Sequence, residues 1–201
     1  DNAFGPDAAW HRALNFLFHA INVLLVAGLG AWSRIGYRLS IPAAAVFLAA
    51  QNHQEAIVWT AALPELLVAT CVLAALNAWI QALNRRSVLW MGVATLCYLV
   101  SLASKESGVV FLALAAGILL ADRVRWSVPV AVLGLQGIVT AVYALGIFRT
   151  TTYHLHLNDG TFTVQPGFIV VTVMSIGRLL LPVGWAAAIV VATSRNWRFL
   201  A

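Results

Sequence analysis

The side chains able to do chemistry in this sequence fall in two short clusters and one isolated position. From Gln51 to Glu65 the run QNHQEAIVWTAALPE gathers His53, Glu55, Trp59, Pro64 and Glu65 between two hydrophobic segments. A second cluster, SKES at Ser104 to Ser107, holds Lys105, the only lysine of the chain, beside Glu106. Arg178 stands by itself within a later apolar run. Ionisable groups in apolar surroundings are costly and tend to mark substrate, ion or proton pathways, so these positions define the candidate site.

Each has a plausible chemistry and a purely structural alternative. A lone lysine is a compact point charge suited to phosphate, and its alternative is snorkelling to a membrane interface. Arg178 lies about ten residues into its predicted helix, roughly 15 Å from the outer end at 1.5 Å per residue, so it needs an anion. A carboxylate such as Glu55 or a lipid phosphate can supply that anion. His53 and Glu55 are two positions apart and point to different faces of a helix, which argues against a direct dyad. Glu55 can pair instead with Lys105 or Arg178, and His53 can bind a phosphate or hydroxyl; their alternative is to cap a helix end in interfacial water. His154 and His156, with Asp159 nearby, lack a third fixed ligand, and no metal site is assigned. No glycine-rich phosphate loop, hydrolase elbow or HExxH motif is present.

The elements that must position these groups are transmembrane helices. Of 201 residues, 62% are hydrophobic and 9% charged, against about a quarter charged in soluble domains. With mean hydropathy +0.88, the composition predicts an integral membrane protein. No repeat, low-complexity tract or linker divides the chain, so 1–201 reads as one bundle. The net charge of +5 comes from dispersed short basic pairs rather than a patch, which excludes nucleic acid as a partner and points to topology. Cys71 and Cys97 sit in apolar runs without ligand spacing. No signal peptide is visible, and the terminal stretches DNAFGPDAAW and RNWRFLA suggest an internal fragment of a longer protein.

Seven helices are predicted, over Trp10 to Trp32, Ile41 to Val58, Pro64 to about Leu83, Val88 to Ala103, Gly108 to Ala121, Pro129 to Phe148 and Phe168 to about Thr193. In the first, His11, Asn15, His19 and Asn22 fall at i, i+4, i+8 and i+11 and form one polar stripe that should face protein. Pro64 suits a first helical turn and Glu65 its positive dipole end. Alternation around Tyr153 to Leu157, before an Asn158-Asp159-Gly160 turn, permits a short strand or extended loop. Seven crossings put Arg34, Arg38, Arg85, Arg86, Arg123, Arg125, Arg195 and Arg198 on one side, eight of twelve basic residues, which the positive-inside rule makes cytoplasmic. The opposite side receives six of the seven acidic residues together with His53 and Lys105.

The segments FGPDAAWHRALNFLFHAINVLLV, NHQEAIVWTAALPELLVAT, SLASKESGVV and IGRLLLPVGW come in the order and spacing of GT-C membrane glycosyltransferases. The chain resembles bacterial relatives of protein O-mannosyltransferases and of tetratricopeptide-containing O-mannosyltransferases over nearly its whole length. The resemblance implies an all-α GT-C-like bundle in a bacterial inner membrane. It implies transfer, with inversion, of a sugar from a polyprenyl-phosphate carrier to a protein, lipid or glycan acceptor outside the cytoplasm. Lys105 and Arg178 would bind the donor phosphate, while His53, Glu55, Glu65 and Glu106 would position them or contact the sugar. Some relatives use a divalent metal; no cofactor is assigned here. In the family the general base is an acidic residue in the first outer loop, expected upstream of Asp1, and Asp7 matches a different residue just before the first helix. The chain departs from the family at Ala50-Gln51, where His-Pro is usual, and at Leu63-Pro64, where arginine or glycine often precedes the glutamate. Two other readings remain, a transporter segment relaying protons or binding an anion, and a non-catalytic subunit on a GT-C-like scaffold.

Overall fold

In the computed structural model the described residues are 8–49 and 63–151, with side chains described over 10–49 and 63–146. The chain divides into two compact units, Asp1–Tyr143 and Ala144–Ala201, and the side-chain contacts below belong to the first. All regular structure among the described residues is helical. Six α-helices follow in order: α1 (Ala8–Gly28), α2 (Gly36–Ala49), α3 (Leu63–Arg85), α4 (Val88–Ser104), α5 (Val110–Ala121) and α6 (Ser127–Thr151), with 3₁₀ turns at Leu29–Ala31 and Glu106–Val109. Among the described residues three stretches are long and apolar enough to cross a membrane: Trp10–Ala31, Leu63–Arg85 and Ser127–Gly146. The expected seventh helix and the Tyr153 to Leu157 segment lie outside the described residues.

Helix α3 is the hub. It makes its most extensive contact with α4 and also packs on α1 and α5. Nine of its residues are buried, from Leu66 to Ala82, and Trp79 is fully enclosed. Phe111 of α5 meets Trp79 edge to face at 6.1 Å and lies 5.0 Å from the ring of Tyr98 of α4. These three rings form the centre of the core, where the quadrupoles of aromatic rings favour tilted contacts.

The outer surface is apolar. Leu24, Leu89 and Leu120 are 72%, 77% and 79% exposed, and Leu135, Ile138 and Val142 line one open side of α6. In water such contiguous apolar area would be an aggregation surface; against acyl chains it is ordinary.

Polar groups turn inward instead and fasten the helices. The stripe on α1 does face the protein: Asn15, His19 and Asn22 are 1%, 5% and 0% exposed. Asn22 Nδ2 donates to the Leu66 carbonyl of α3 at 3.3 Å, and His19 stacks on Phe47 of α2 with ring centroids 5.5 Å apart. Lower on the same pair of helices, Asn77 Nδ2 donates to the Leu25 carbonyl at 2.9 Å. Helix α6 is attached to α4 by a polar ladder in which Gln136 Nε2 donates to Thr95 Oγ1 at 2.9 Å and the Tyr98 and Thr140 hydroxyls share a short hydrogen bond.

Two of the differences between observed and expected helix starts have a local cause. Helix α2 begins at Gly36, five residues before Ile41, and runs through Pro42. Proline there removes the bond its amide would give to the Arg38 carbonyl, but both residues are exposed and the ring's fixed φ is compatible with a helix. Gly36 enters the helix at φ +64°, a left-handed conformation that a residue without Cβ adopts readily. Helix α5 begins at Val110 because Glu106–Val109 forms a 3₁₀ turn, where Gly108 was expected to start the helix.

Candidate functional site

The end of the bundle at the start of α3 carries the described part of the expected site. Glu65 sits in the first turn of α3, where a carboxylate favours the helix dipole. Facing it is the break between α4 and α5. Lys105 is extended, with φ −163° and ψ 148°, and so ends α4, while its amide still donates to the Ser101 carbonyl at 3.0 Å. The following turn closes when the Gly108 amide donates to the Lys105 carbonyl at 3.1 Å. Gly108 makes this possible by lying against Ser101: a Cβ on it would fall 2.6 Å from Ser101 Oγ and 2.9 Å from the Ser101 carbonyl carbon.

The break aims Lys105 at α3, and its ammonium forms a short ion pair with Glu65. The two side chains are 34% and 50% exposed. Hydrogen bonding to Glu65 raises the Lys105 pKa above its ordinary value, partial burial opposes this, and the charges of Glu65 and then Glu106 add to the rise. Lys105 therefore stays an ammonium at physiological pH. With Glu106 exposed beside it, the three groups sum to one negative charge (+1 −1 −1).

Among the expected site residues, Lys105 and Glu65 are thus brought together, and Glu106 lies next to them. The counter-charge of Lys105 is Glu65, one of the acidic residues expected to position it. His53, Glu55, Trp59, His154, His156, Asp159 and Arg178 lie outside the described residues. Among the described residues no group of three or more His, Cys, Asp or Glu side chains gathers as a metal site.

The opposite end was the least anticipated. Asp122, just after α5, accepts from Trp32 Nε1 and from Arg34 Nε, each at 2.7 Å, and the Arg34 guanidinium also donates to the Ala121 carbonyl. Arg86, Arg123, Arg125 and Trp126 line a cavity of about 640 Å³ beside this pair. The available signal was that Asp122 is the single acid among the arginines of that side. The ladder of Thr95, Gln136 and Thr140 was also unanticipated, although Gln136 and Thr140 stand at i and i+4. No protein-family model, curated protein or solved structure matches this chain.

Proposed function

We propose that this chain is the membrane-embedded part of a GT-C-type glycosyltransferase, using a polyprenyl-phosphate-linked sugar on the extracytoplasmic side of a bacterial inner membrane. Lys105 takes one phosphate oxygen of the donor and Arg178 is the second cation. His53, Glu55, Glu65 and Glu106 position these cations or meet the sugar. In the reaction a carboxylate removes the proton of an acceptor hydroxyl on a protein, lipid or glycan. The acceptor oxygen bonds the anomeric carbon from the face opposite the leaving group, and the bond from that carbon to the phosphate oxygen breaks. The lipid phosphate departs with the electron pair, and its growing charge is what the cations stabilise.

The observation that carries this reading is the aimed lysine. The α4–α5 break holds the only lysine at the apolar bundle's acidic end, about 30 Å along α3 from Arg85, counting twenty residues at 1.5 Å. Since the described groups there sum to −1, a phosphate must compete with Glu65 for the ammonium, and Arg178 is taken as the source of further positive charge. A second reading, a non-catalytic subunit in which the pair only ties helices, is favoured by Lys105 already having its partner in Glu65.

Titration of the full protein in neutral detergent with undecaprenyl phosphate separates the two. Lys105→Ala should weaken binding about tenfold or more, the loss of one charge-assisted contact, and Lys105→Arg should recover most of it. Glu65→Gln should tighten binding by releasing the ammonium. Unchanged affinity in Lys105→Ala and Glu65→Gln together would leave the helix tie.

A further inference from the structure

The cavity at the arginine end is built from two chain segments that have no part in the chemistry proposed above. Arg86 follows α3, while Arg123, Arg125 and Trp126 lie between α5 and α6. Arg34 neutralises Asp122, so the remaining three guanidinium groups leave the cavity with three positive charges. None of these three arginines has an ion-pair partner among the described residues.

The backbone makes the arrangement more telling. Arg86 and Arg123 both have φ +48°, the left-handed region in which glycine normally ends a helix. Both helices close in the same way: the Ser87 amide donates to the Ala82 carbonyl at 3.0 Å, and the Val124 amide to the Leu119 carbonyl at 3.1 Å. A side chain in that conformation costs roughly 1 kcal/mol that glycine would avoid. Two helix ends therefore carry arginine where glycine is easier, and both arginines line the same cavity. The C-terminal dipoles of α3 and α5 point there as well, each equivalent to about half a negative charge, and three guanidinium groups outweigh them.

We infer that this cavity binds the phosphate of an anionic lipid headgroup. Guanidinium groups present paired donors that match phosphate oxygens. Position selects lipid over free phosphate: the cavity lies where α3 ends and α6 begins, two of the helices long enough to cross a membrane. Trp126 suits the headgroup level, where indole rings are enriched, and basic pockets between membrane helices are known headgroup sites. The site is distinct from that of Lys105, at the other end of α3.

The test measures phosphatidylglycerol binding to the full chain in neutral detergent by native mass spectrometry, with phosphatidylcholine and inorganic phosphate as separate probes. Phosphatidylglycerol should bind and phosphatidylcholine should not. Arg86→Gln, Arg123→Gln and Arg125→Gln should each weaken phosphatidylglycerol about fivefold, as expected for one basic group near a membrane surface. Arg38→Gln, which removes an exposed charge outside the cavity, should change it less than about twofold. Arg125 is free of the left-handed backbone, so its variant decides the matter if the other two fail to fold. Equal losses in Arg38→Gln and Arg125→Gln, or equal binding of phosphatidylcholine, would overturn the site. Arg125-dependent binding of inorganic phosphate without phosphatidylglycerol binding would overturn the lipid assignment.

Discussion

Removing either charge of the Lys105–Glu65 pair measures how firmly it fastens the start of α3 to the α4–α5 break. Exposure sets the magnitude: at 34% and 50% accessible, the two side chains are screened by water, so the pair should contribute about 0.2–1 kcal/mol. A buried pair broken on one side would instead cost about 3–5 kcal/mol. A double-mutant cycle with Lys105→Met, Glu65→Gln and the combined variant should therefore return a coupling near 0.5 kcal/mol. In a protein of this size each single variant should lose about 1–3 °C in Tm, read by tryptophan fluorescence in detergent. The pH dependence has a definite sign. The Lys105 pKa is raised above 10.5 in the folded protein, so its stabilisation is fully present below that value and is lost as pH rises through the raised pKa. The coupling should hold steady from about pH 7 to about pH 10, disappear only above that window, and shrink in 1 M salt. A coupling above about 2 kcal/mol, or one that vanishes between about pH 7 and 9, would refute the screened-pair argument.

Other consequences follow from the same structure. Gly108→Ala must displace the Ser101 backbone and should destabilise by about 1–3 kcal/mol; by moving the 3₁₀ turn it should also abolish the coupling between Lys105 and Glu65 in the cycle above. Phe111→Ala should cost about 2–4 kcal/mol in bilayer or detergent, because a cavity of ~100 Å³ at ~24 cal/mol per Å³ remains even without a water-transfer contribution. Leu120→Ala, at a position 79% exposed, should stay within about 0.5 kcal/mol in the same thermal assay. On α1, Asn22→Leu should lose about 1–2 kcal/mol by overfilling an enclosed position and breaking the bond to the Leu66 carbonyl, whereas Leu24→Ala should be nearly silent.

The sequence revealed most where a polar residue interrupted an apolar helix. Asn15, His19 and Asn22 recur at helical spacing in a segment of otherwise acyl-compatible residues, so their inward direction follows from cost alone, while His11 at the end of the stripe is half-buried. The ends of α3, α4 and α5 were legible from Arg85-Arg86, the SKES break and Asp122. The start of α2 was not. Pro42 resembles a first-turn residue, and nothing local states that an exposed carbonyl can forgo its partner and let the helix begin earlier. Partners were harder still. Lys105 had three glutamates within plausible reach, and the choice of Glu65 depends on the extended backbone at Lys105 and on the close approach of Gly108 to Ser101. Both are tertiary facts, invisible to periodicity.

Charge is distributed differently at the two ends, and the difference carries the functional argument. At the Glu65 end the single lysine is balanced and then exceeded by carboxylates, so an incoming anion has to displace one. At the Arg34 end Asp122 is neutralised by Arg34, and three further arginines line a cavity with no other carboxylate to hold them among the described residues. A rule that only sorts positive charge to one side of a membrane would be met by arginines anywhere on that side. It does not require two of them to occupy left-handed helix ends, nor does it require those two to share one cavity with a third. Lipid titration with Arg125→Gln set against Arg38→Gln isolates that excess, because both variants remove one positive charge from the arginine-rich side and only one removes it from the cavity.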